Sequence, residues 1–290
     1  MPEGPEIHRA ADQLDAALAG QRLTELYFAF EHLKPWEARL RGRVVLGVEA
    51  RGKAILTRFD DGHTLYSHNQ LYGRWLISAD GSRPRTSRQL RVTLHTDRVA
   101  AFLYSASDIE LLDPAGLAAH RYLSRLGPEL LDPALDAAAV AARLGEARFR
   151  RRALMGLLQD QGVLAGMGNY LCCEALHVAG LHPGQRPADL DANQMARLAR
   201  TCLELTRQSY RTGGITNDLQ RAARLEREGA DFEARRFHVY RRAGLPCYRC
   251  GTPIVKGRFV GRMGYLCPGC QPAASTAAPT ATTATKAGNT

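Results

Sequence analysis

Four cysteines constrain this chain more than any other feature. Cys247-Tyr248-Arg249-Cys250 is followed, after sixteen intervening residues, by Cys267-Pro268-Gly269-Cys270. Two C-x-x-C knuckles at that separation match a four-thiolate zinc site, and four protein ligands leave no open position, so one structural Zn2+ is expected. The segment between the knuckles must then fold back on itself. Redox thiols are the alternative, but redox chemistry gives two pairs in one short module no reason for this spacing. Lys256–Val260 and Tyr265–Leu266 read as hairpin strands around Gly261-Arg262-Met263-Gly264. Arg262 at such a tip is either a rigid probe for phosphate or a solvated turn residue. Cys172, Cys173 and Cys202 fall on expected helices and read as core.

Ahead of this module the pattern changes once along the chain. Residues 5–19 carry apolar positions at helical spacing, stopped by Gly20. From there to about residue 112 the chain reads as short strands: Leu23–Phe30, Val44–Ala50, Ala54–Phe59, Thr64–Leu71, Arg74–Ser78, Gln89–His95 and Val99–Tyr104. Asp60-Asp61-Gly62 and Asp80-Gly81-Ser82 are expected hairpin turns, and strands at this spacing favour a β-sandwich or barrel. After Gly127-Pro128 and Asp132-Pro133 the periodicity becomes helical, roughly Leu135–Leu144, Arg150–Gln161, Asn169–Ala179 and Asn193–Tyr210. Residues 218–236 are densely charged and fit a solvated helix or a loop. The expected class is α+β: a β-sandwich domain with an N-terminal helix over 2–120, a hinge at 121–133, a helical domain over 134–236, the cysteine module at 237–271, and a disordered Ala/Thr/Pro tail at 272–290.

The chain has 290 residues and 45% apolar composition, enough for two sizeable cores. Lys plus Arg outnumber Asp plus Glu 39 to 29, a net charge of +10 that suits a polyanionic partner. No apolar run is long enough to span a membrane, and the acidic start lacks a signal segment, so an intracellular, cytoplasmic protein is expected.

The chemistry concentrates at the start, Met1-Pro2-Glu3-Gly4-Pro5-Glu6. Loss of Met1 exposes a secondary amine on Pro2, and an α-amino group titrates near pH 8, so much of it is nucleophilic at neutral pH. Attack on a sugar C1′ gives an iminium, which is an electron sink, and Glu3 and Glu6 stand ready for the proton transfers. An ordinary helix start with acidic residues in its first turn explains the same hexapeptide. Gly166-Met167-Gly168 reads as a turn that lets a backbone come close, with Asn169 as the N-cap of a helix whose free N–H groups suit a DNA phosphate. Two arginine runs, Arg148 with Arg150–Arg152 and Arg235-Arg236 with Arg241-Arg242, flank these candidate phosphate sites and suggest a groove. Lys53, just before a strand, is either an ordinary surface lysine or one that would depress the pKa of a nearby amine and help balance phosphate charge. Gln70-Leu71-Tyr72 at a strand end reads by itself as a tight turn packed on the β-domain.

Taken in order, the N-terminal hexapeptide, Arg51-Gly52-Lys53, Tyr-Ser-His-Asn-Gln-Leu-Tyr-Gly at 66–73, Leu-Tyr-Ser-Ala-Ser-Asp at 103–108, Gly-Met-Gly-Asn-Tyr at 166–170 and the four-cysteine module resemble the endonuclease VIII branch of the formamidopyrimidine-DNA glycosylase/endonuclease VIII family. The likeness covers essentially residues 2–271. It implies a β-sandwich, a helix–two-turn–helix domain and a zinc finger, with double-stranded DNA in the cleft between them. It implies Pro2 as Schiff-base nucleophile, Glu3 as general acid/base, Lys53 as helper in β-elimination and Arg262 as the finger arginine tied to δ-elimination. Gln70, Arg125 and Asn169 fall on DNA-contacting positions. The consecutive Gln70-Leu71-Tyr72 resembles the arrangement of enzymes acting on oxidised pyrimidines, which implies a wedge of amide, apolar and aromatic side chains that fills the hole left by a flipped nucleotide. A monomeric, bacterial glycosylase and AP lyase is implied, nucleoid-associated when bound to DNA containing oxidised bases or abasic sites. The alternatives are the sister activity on formamidopyrimidines and 8-oxoguanine, and a non-catalytic zinc-containing DNA-binding protein.

Overall fold

The computed structural model of the chain describes residues 2–259 and 261–273. Most of the Ala/Thr/Pro tail, with Met1 and Val260, lies outside the described residues.

Helix α1 (Gly4–Leu18) buries Ile7, Ala11, Leu14 and Leu18, one stripe at helical spacing. It ends before Gly20, which takes the left-handed conformation that a side chain would resist. Eight strands follow: β1 (Leu23–Phe28), β2 (Val45–Arg51), β3 (Ala54–Phe59), β4 (Thr64–His68), β5 (Arg74–Ser78), β6 (Leu90–Thr96), β7 (Ala100–Tyr104) and β8 (Asp108–Leu112). They form two four-stranded antiparallel sheets, ordered β1-β6-β7-β5 and β2-β3-β4-β8. Phe28, Val92 and Leu103 of one sheet meet Val45, Ile55 and Leu65 of the other, and the buried stripe of α1 joins the same core. This is the expected sandwich with an N-terminal helix.

One strand, β8, and two short α-helices, α2 (Pro35–Leu40) and α3 (Pro114–Ala119), in this half are not foreseen in the sequence. Strand β8 alternates weakly, and α2 and α3 span less than two full turns. Asp80-Gly81-Ser82 is a turn but not a hairpin, because β5 pairs with β7 while the loop leads on to β6.

The second half contains α4 (Ala137–Leu144), α5 (Leu154–Leu158), α6 (Asn169–Ala179), α7 (Ala192–Thr212), α8 (Leu219–Arg227) and α9 (Phe232–Arg235) around a separate core that includes Leu154, Leu171, Leu198, Phe237 and the buried Cys172, Cys173 and Cys202. The helix expected over 150–161 shrinks to α5. Its N-cap is Ala153, and Asp160 turns the chain out of it by accepting the Gly162 N–H at 2.9 Å. The charged 218–236 segment is helical, capped by Asp218 and Asp231 and broken at Gly229 (φ +86°). Strands β9 (Val255–Phe259) and β10 (Arg262–Leu266) form the hairpin between the knuckles. Arg262 pairs with Phe259, so it opens β10 and does not sit in the middle of the tip. No described helix is long and apolar enough to cross a membrane.

Candidate active site

The N-terminus is held where the two halves meet. The Gly4 N–H donates to the Gly166 carbonyl at 2.8 Å, and a Cβ on Gly4 would lie 2.7 Å from the Gly166 Cα. The backbone that the 166–168 turn admits is therefore the chain's own start. Gly168, not Asn169, is the N-cap of α6. The free N–H groups of that helix end are likewise taken: those of Tyr170 and Leu171 donate to the Glu3 carboxylate at 2.8 and 3.3 Å. A Cβ on Gly168 would fall 2.3 Å from the Glu3 carboxyl carbon. Glu3 thus fills the place that the sequence reading gave to a phosphate.

Glu3 is 2% exposed, and its pKa is pushed up to about 7. Burial is the largest cause and the Glu6 charge adds to it, while Lys53 and the two backbone N–H donors pull the other way. Lys53 is 9% exposed, and burial pushes its pKa down. Glu3 and Glu6 oppose that shift, and the charge of Arg262 reinforces it. A buried acid and a buried amine that perturb each other mark a functional-site candidate.

Glu6 accepts the Glu3 N–H at 3.0 Å, the Tyr170 hydroxyl at 3.1 Å and the Arg236 guanidinium at 2.7 Å. These contacts tie the Glu6 carboxylate to the N-terminus, to α6 and to Arg236. Neither Arg236 nor Tyr170 is legible in the sequence as a partner of Glu6, although both lie inside quoted segments. Arg236 belongs to a run expected to flank a phosphate groove, yet it is turned inward, donating to the Gly214 carbonyl and lying 4.6 Å from the Phe237 ring. The arginine runs are mostly staples: Arg148 pairs with Glu146, Arg235 with Glu226 and Arg241 with Glu233, while Arg242 is buried. Only Arg152 of these lines the cleft, where it pairs with Asp160.

Pro2 lines a cavity of about 920 Å³ together with Glu6, Arg9, Leu71, Tyr72 and Arg88. A second cleft of about 820 Å³ is lined by Gln70, Tyr122 and Arg125 on one side and by Arg152, Gln159 and Arg262 on the other. The 70–72 loop separates the two. Gln70 adopts φ +50°, its amide oxygen accepts the Ser107 hydroxyl at 2.7 Å, and Leu71 and Tyr72 stand 58% and 70% exposed. Leu71 and Tyr72 therefore lie outside the β-domain core, and Gln70 alone of the three is tied to that domain by its side chain. Arg262 donates to the Gln159 amide oxygen at 3.3 Å, and Gln159 in turn lies 3.5 Å from the Asn169 side chain. The finger arginine, a glutamine not singled out in the sequence, and Asn169 form one row.

The Sγ atoms of Cys247, Cys250, Cys267 and Cys270 all lie within 4.8 Å of one another, with pairs at 3.4, 3.5 and 3.9 Å. Tetrahedral Zn–S bonds of about 2.3 Å demand sulfur separations of about 3.8 Å, so the four thiolates fit one zinc. Glu174, fully buried in α6, accepts the N–H groups of His238, Val239 and Tyr240 at 2.7, 2.8 and 2.9 Å and so fixes where the finger begins.

Three family models match in the order of these structural units: the formamidopyrimidine-DNA glycosylase N-terminal domain over residues 1–114, the formamidopyrimidine-DNA glycosylase H2TH domain over 126–221, and the zinc finger found in FPG and IleRS over 244–273. Endonuclease 8 of Escherichia coli (strain K12 / DH10B) is 49% identical over 271 residues, covering 93% of this chain and 100% of that protein. The chain belongs to the formamidopyrimidine-DNA glycosylase/endonuclease VIII family. Endonuclease 8 of Shigella sonnei is 48% identical over the same length. Among solved members of the family, Lactococcus lactis formamidopyrimidine-DNA glycosylase non-covalently bound to DNA containing an AP site superposes with a TM-score of 0.76 at 21% identity, covering 93% of this chain and 100% of that one. The complex of the same glycosylase with DNA containing an oxidised pyrimidine gives 0.77 at 22%, covering 94% and 100%. These two likenesses establish the family fold.

Proposed function

We propose that this protein is a bifunctional DNA glycosylase and AP lyase of base excision repair that removes oxidised pyrimidines and then cleaves the strand by β,δ-elimination. One observation carries the reading. The Glu3 carboxyl, adjacent to Pro2 in the chain, is buried and poised near neutrality against Lys53, beside a cavity walled by the exposed Leu71 and Tyr72.

The lesion is flipped from the duplex, which is cheaper for a damaged base that stacks poorly. Leu71 and Tyr72 enter the hole and Gln70 faces the orphaned base. Once Met1 is removed, the Pro2 nitrogen attacks C1′: a C1′–N bond forms, the glycosidic bond breaks with its electrons leaving on the base, and the proton released from the Pro2 nitrogen is taken up by the departing base. Protonated Glu3 gives its proton to the ring oxygen O4′ as the sugar opens to the iminium. The resulting carboxylate is a base for the acidified C2′ proton, and the 3′ phosphate leaves with the C3′–O bond electrons. Loss of a C4′ proton then expels the 5′ phosphate. Lys53 balances phosphate charge, and Arg262, Arg125 and Asn169 hold phosphates along the cleft. Glu6 keeps Glu3 and Pro2 in place. Zinc, held by the four cysteines with no open position, would supply the rigidity of the finger.

The reading is tested by cleaving thymine glycol and 8-oxoguanine duplexes side by side. Faster cleavage of thymine glycol, leaving a one-nucleotide gap with phosphates at both ends, is expected. Preference for 8-oxoguanine would move the protein to the sister activity. An unsaturated aldehyde left on the 3′ end would remove the second elimination.

A further inference from the structure

The segment between the sandwich and the helical half does more than connect them. Gly52-Lys53 is the two-residue loop of the β2–β3 hairpin, with Arg51 paired to Ala54. Gly52 has φ +60° and Lys53 does not share that sign, the pattern of a type II′ turn. Such a turn leaves loop N–H groups pointing out of the hairpin. Here both are taken by the connecting segment. The Lys53 N–H donates to the Tyr122 hydroxyl at 2.8 Å, and the Gly52 N–H donates to the Glu129 carboxylate. The Tyr122 oxygen sits so close over the turn that a Cβ on Gly52 would be 2.6 Å from it. The ring of Tyr122 lies edge-on to His68, 5.4 Å between centroids, and the His68 Nδ1 accepts the N–H of Gln70 at 3.1 Å. The same segment is tied to the loop that meets the N-terminus: the Gly127 N–H donates to the Gln161 carbonyl at 2.8 Å, and the Ala165 N–H donates to the Pro128 carbonyl at 3.0 Å.

We propose that Tyr122 is a positioning residue for strand cleavage: its hydroxyl fixes the Lys53 turn, and its ring ties that turn to the base of the 70–72 loop. The inference rests on the proposed role of Lys53 in elimination. Burial pushes the Tyr122 phenol up to about 12, so near neutrality the hydroxyl is an intact donor and acceptor, accepting from Lys53. Removing it frees the lysine to drift, and a small misplacement of a catalytic group costs on the order of tenfold to a hundredfold in rate.

The test is a double-mutant cycle on single-turnover β-elimination, using saturating enzyme and a duplex with a preformed abasic site. Tyr122→Phe keeps the ring on His68 and should slow elimination on the order of tenfold. Borohydride-trapped Schiff base should stay at or above the wild-type level, because attack by Pro2 is untouched; a merely structural defect would lower both together. Lys53→Met should also slow elimination, and Tyr122→Phe added to it should have no further effect. Wild-type elimination by Tyr122→Phe, or multiplying effects in the double variant, would overturn the inference while leaving the role of Lys53 standing. Wild-type elimination by Lys53→Met would instead remove the role of Lys53, and the inference with it.

Discussion

The Glu3 carboxyl is pulled in two directions. Two backbone N–H groups at the start of α6 and the Lys53 ammonium favour the anion, while burial and the Glu6 charge favour the acid. Burial wins, and at neutral pH the group is shared between its two forms, which suits the proposed role of first giving and then taking a proton. Glu3→Gln should therefore cut base release by about 10²–10⁴ while leaving DNA binding in place, measured under single turnover. The linkage has a definite sign. The folded pKa lies above the ordinary carboxyl value of 4.5, so stability conferred by the protonated group is complete below that value and is lost as pH rises through about 7. Chemical denaturation at pH 5 and pH 8 should show wild-type stability falling over this window and the Gln variant falling less. Gly168→Ala tests the same contact from the other side, since its Cβ would collide with the Glu3 carboxyl. The melting temperature and base release should both drop, and an unchanged variant would mean that the N-terminus is not docked on α6.

At the scale of elements, the sequence foretold what periodicity and turn chemistry encode locally. Strands β3 and β5 and helix α6 stand with the expected boundaries, because Asp60-Asp61-Gly62, Gly73 and Gly180 punctuate them. The partners of Glu3 and Glu6 were not legible. Tyr170 and Arg236 lie more than 160 and 220 residues away in the chain, and only the folded structure brings them to α1. For the same reason the 166–168 glycines promised a close approach without naming the backbone that makes it. Exposure of the 70–72 loop was equally undecided by its residue types, and it now supports a sharp expectation. Leu71→Ala with Tyr72→Ala should leave the melting temperature nearly unchanged and keep lyase activity on preformed abasic sites. It should lose glycosylase activity on thymine glycol. A large fall in melting temperature would return these residues to the core. For the finger, metal analysis should find one zinc per chain, and Arg262→Ala should keep it while weakening the second elimination.

Over the whole molecule, charge and architecture point the same way. The net charge of +10 is not a uniform coat, since many arginines are spent on carboxylates of their own half. Around the cleft, Arg262 and the Asp160-paired Arg152 face Gln70, Tyr122 and Arg125 across a gap fed by both cores and the finger. DNA affinity should fall linearly with salt on logarithmic axes, and Arg262→Ala should reduce the slope by about 0.9, one phosphate contact. An unchanged slope would take the finger arginine off the backbone.

The central claim is that the Pro2 nitrogen becomes covalently bound to the sugar, and borohydride trapping on abasic DNA tests it most directly. Reduction of the reacting complex followed by tryptic digestion should place the oligonucleotide on the Pro2–Arg9 peptide, at the terminal nitrogen. A form retaining Met1 should give no adduct. An adduct on Lys53 or another lysine, or equal trapping by the Met1 form, would contradict the account.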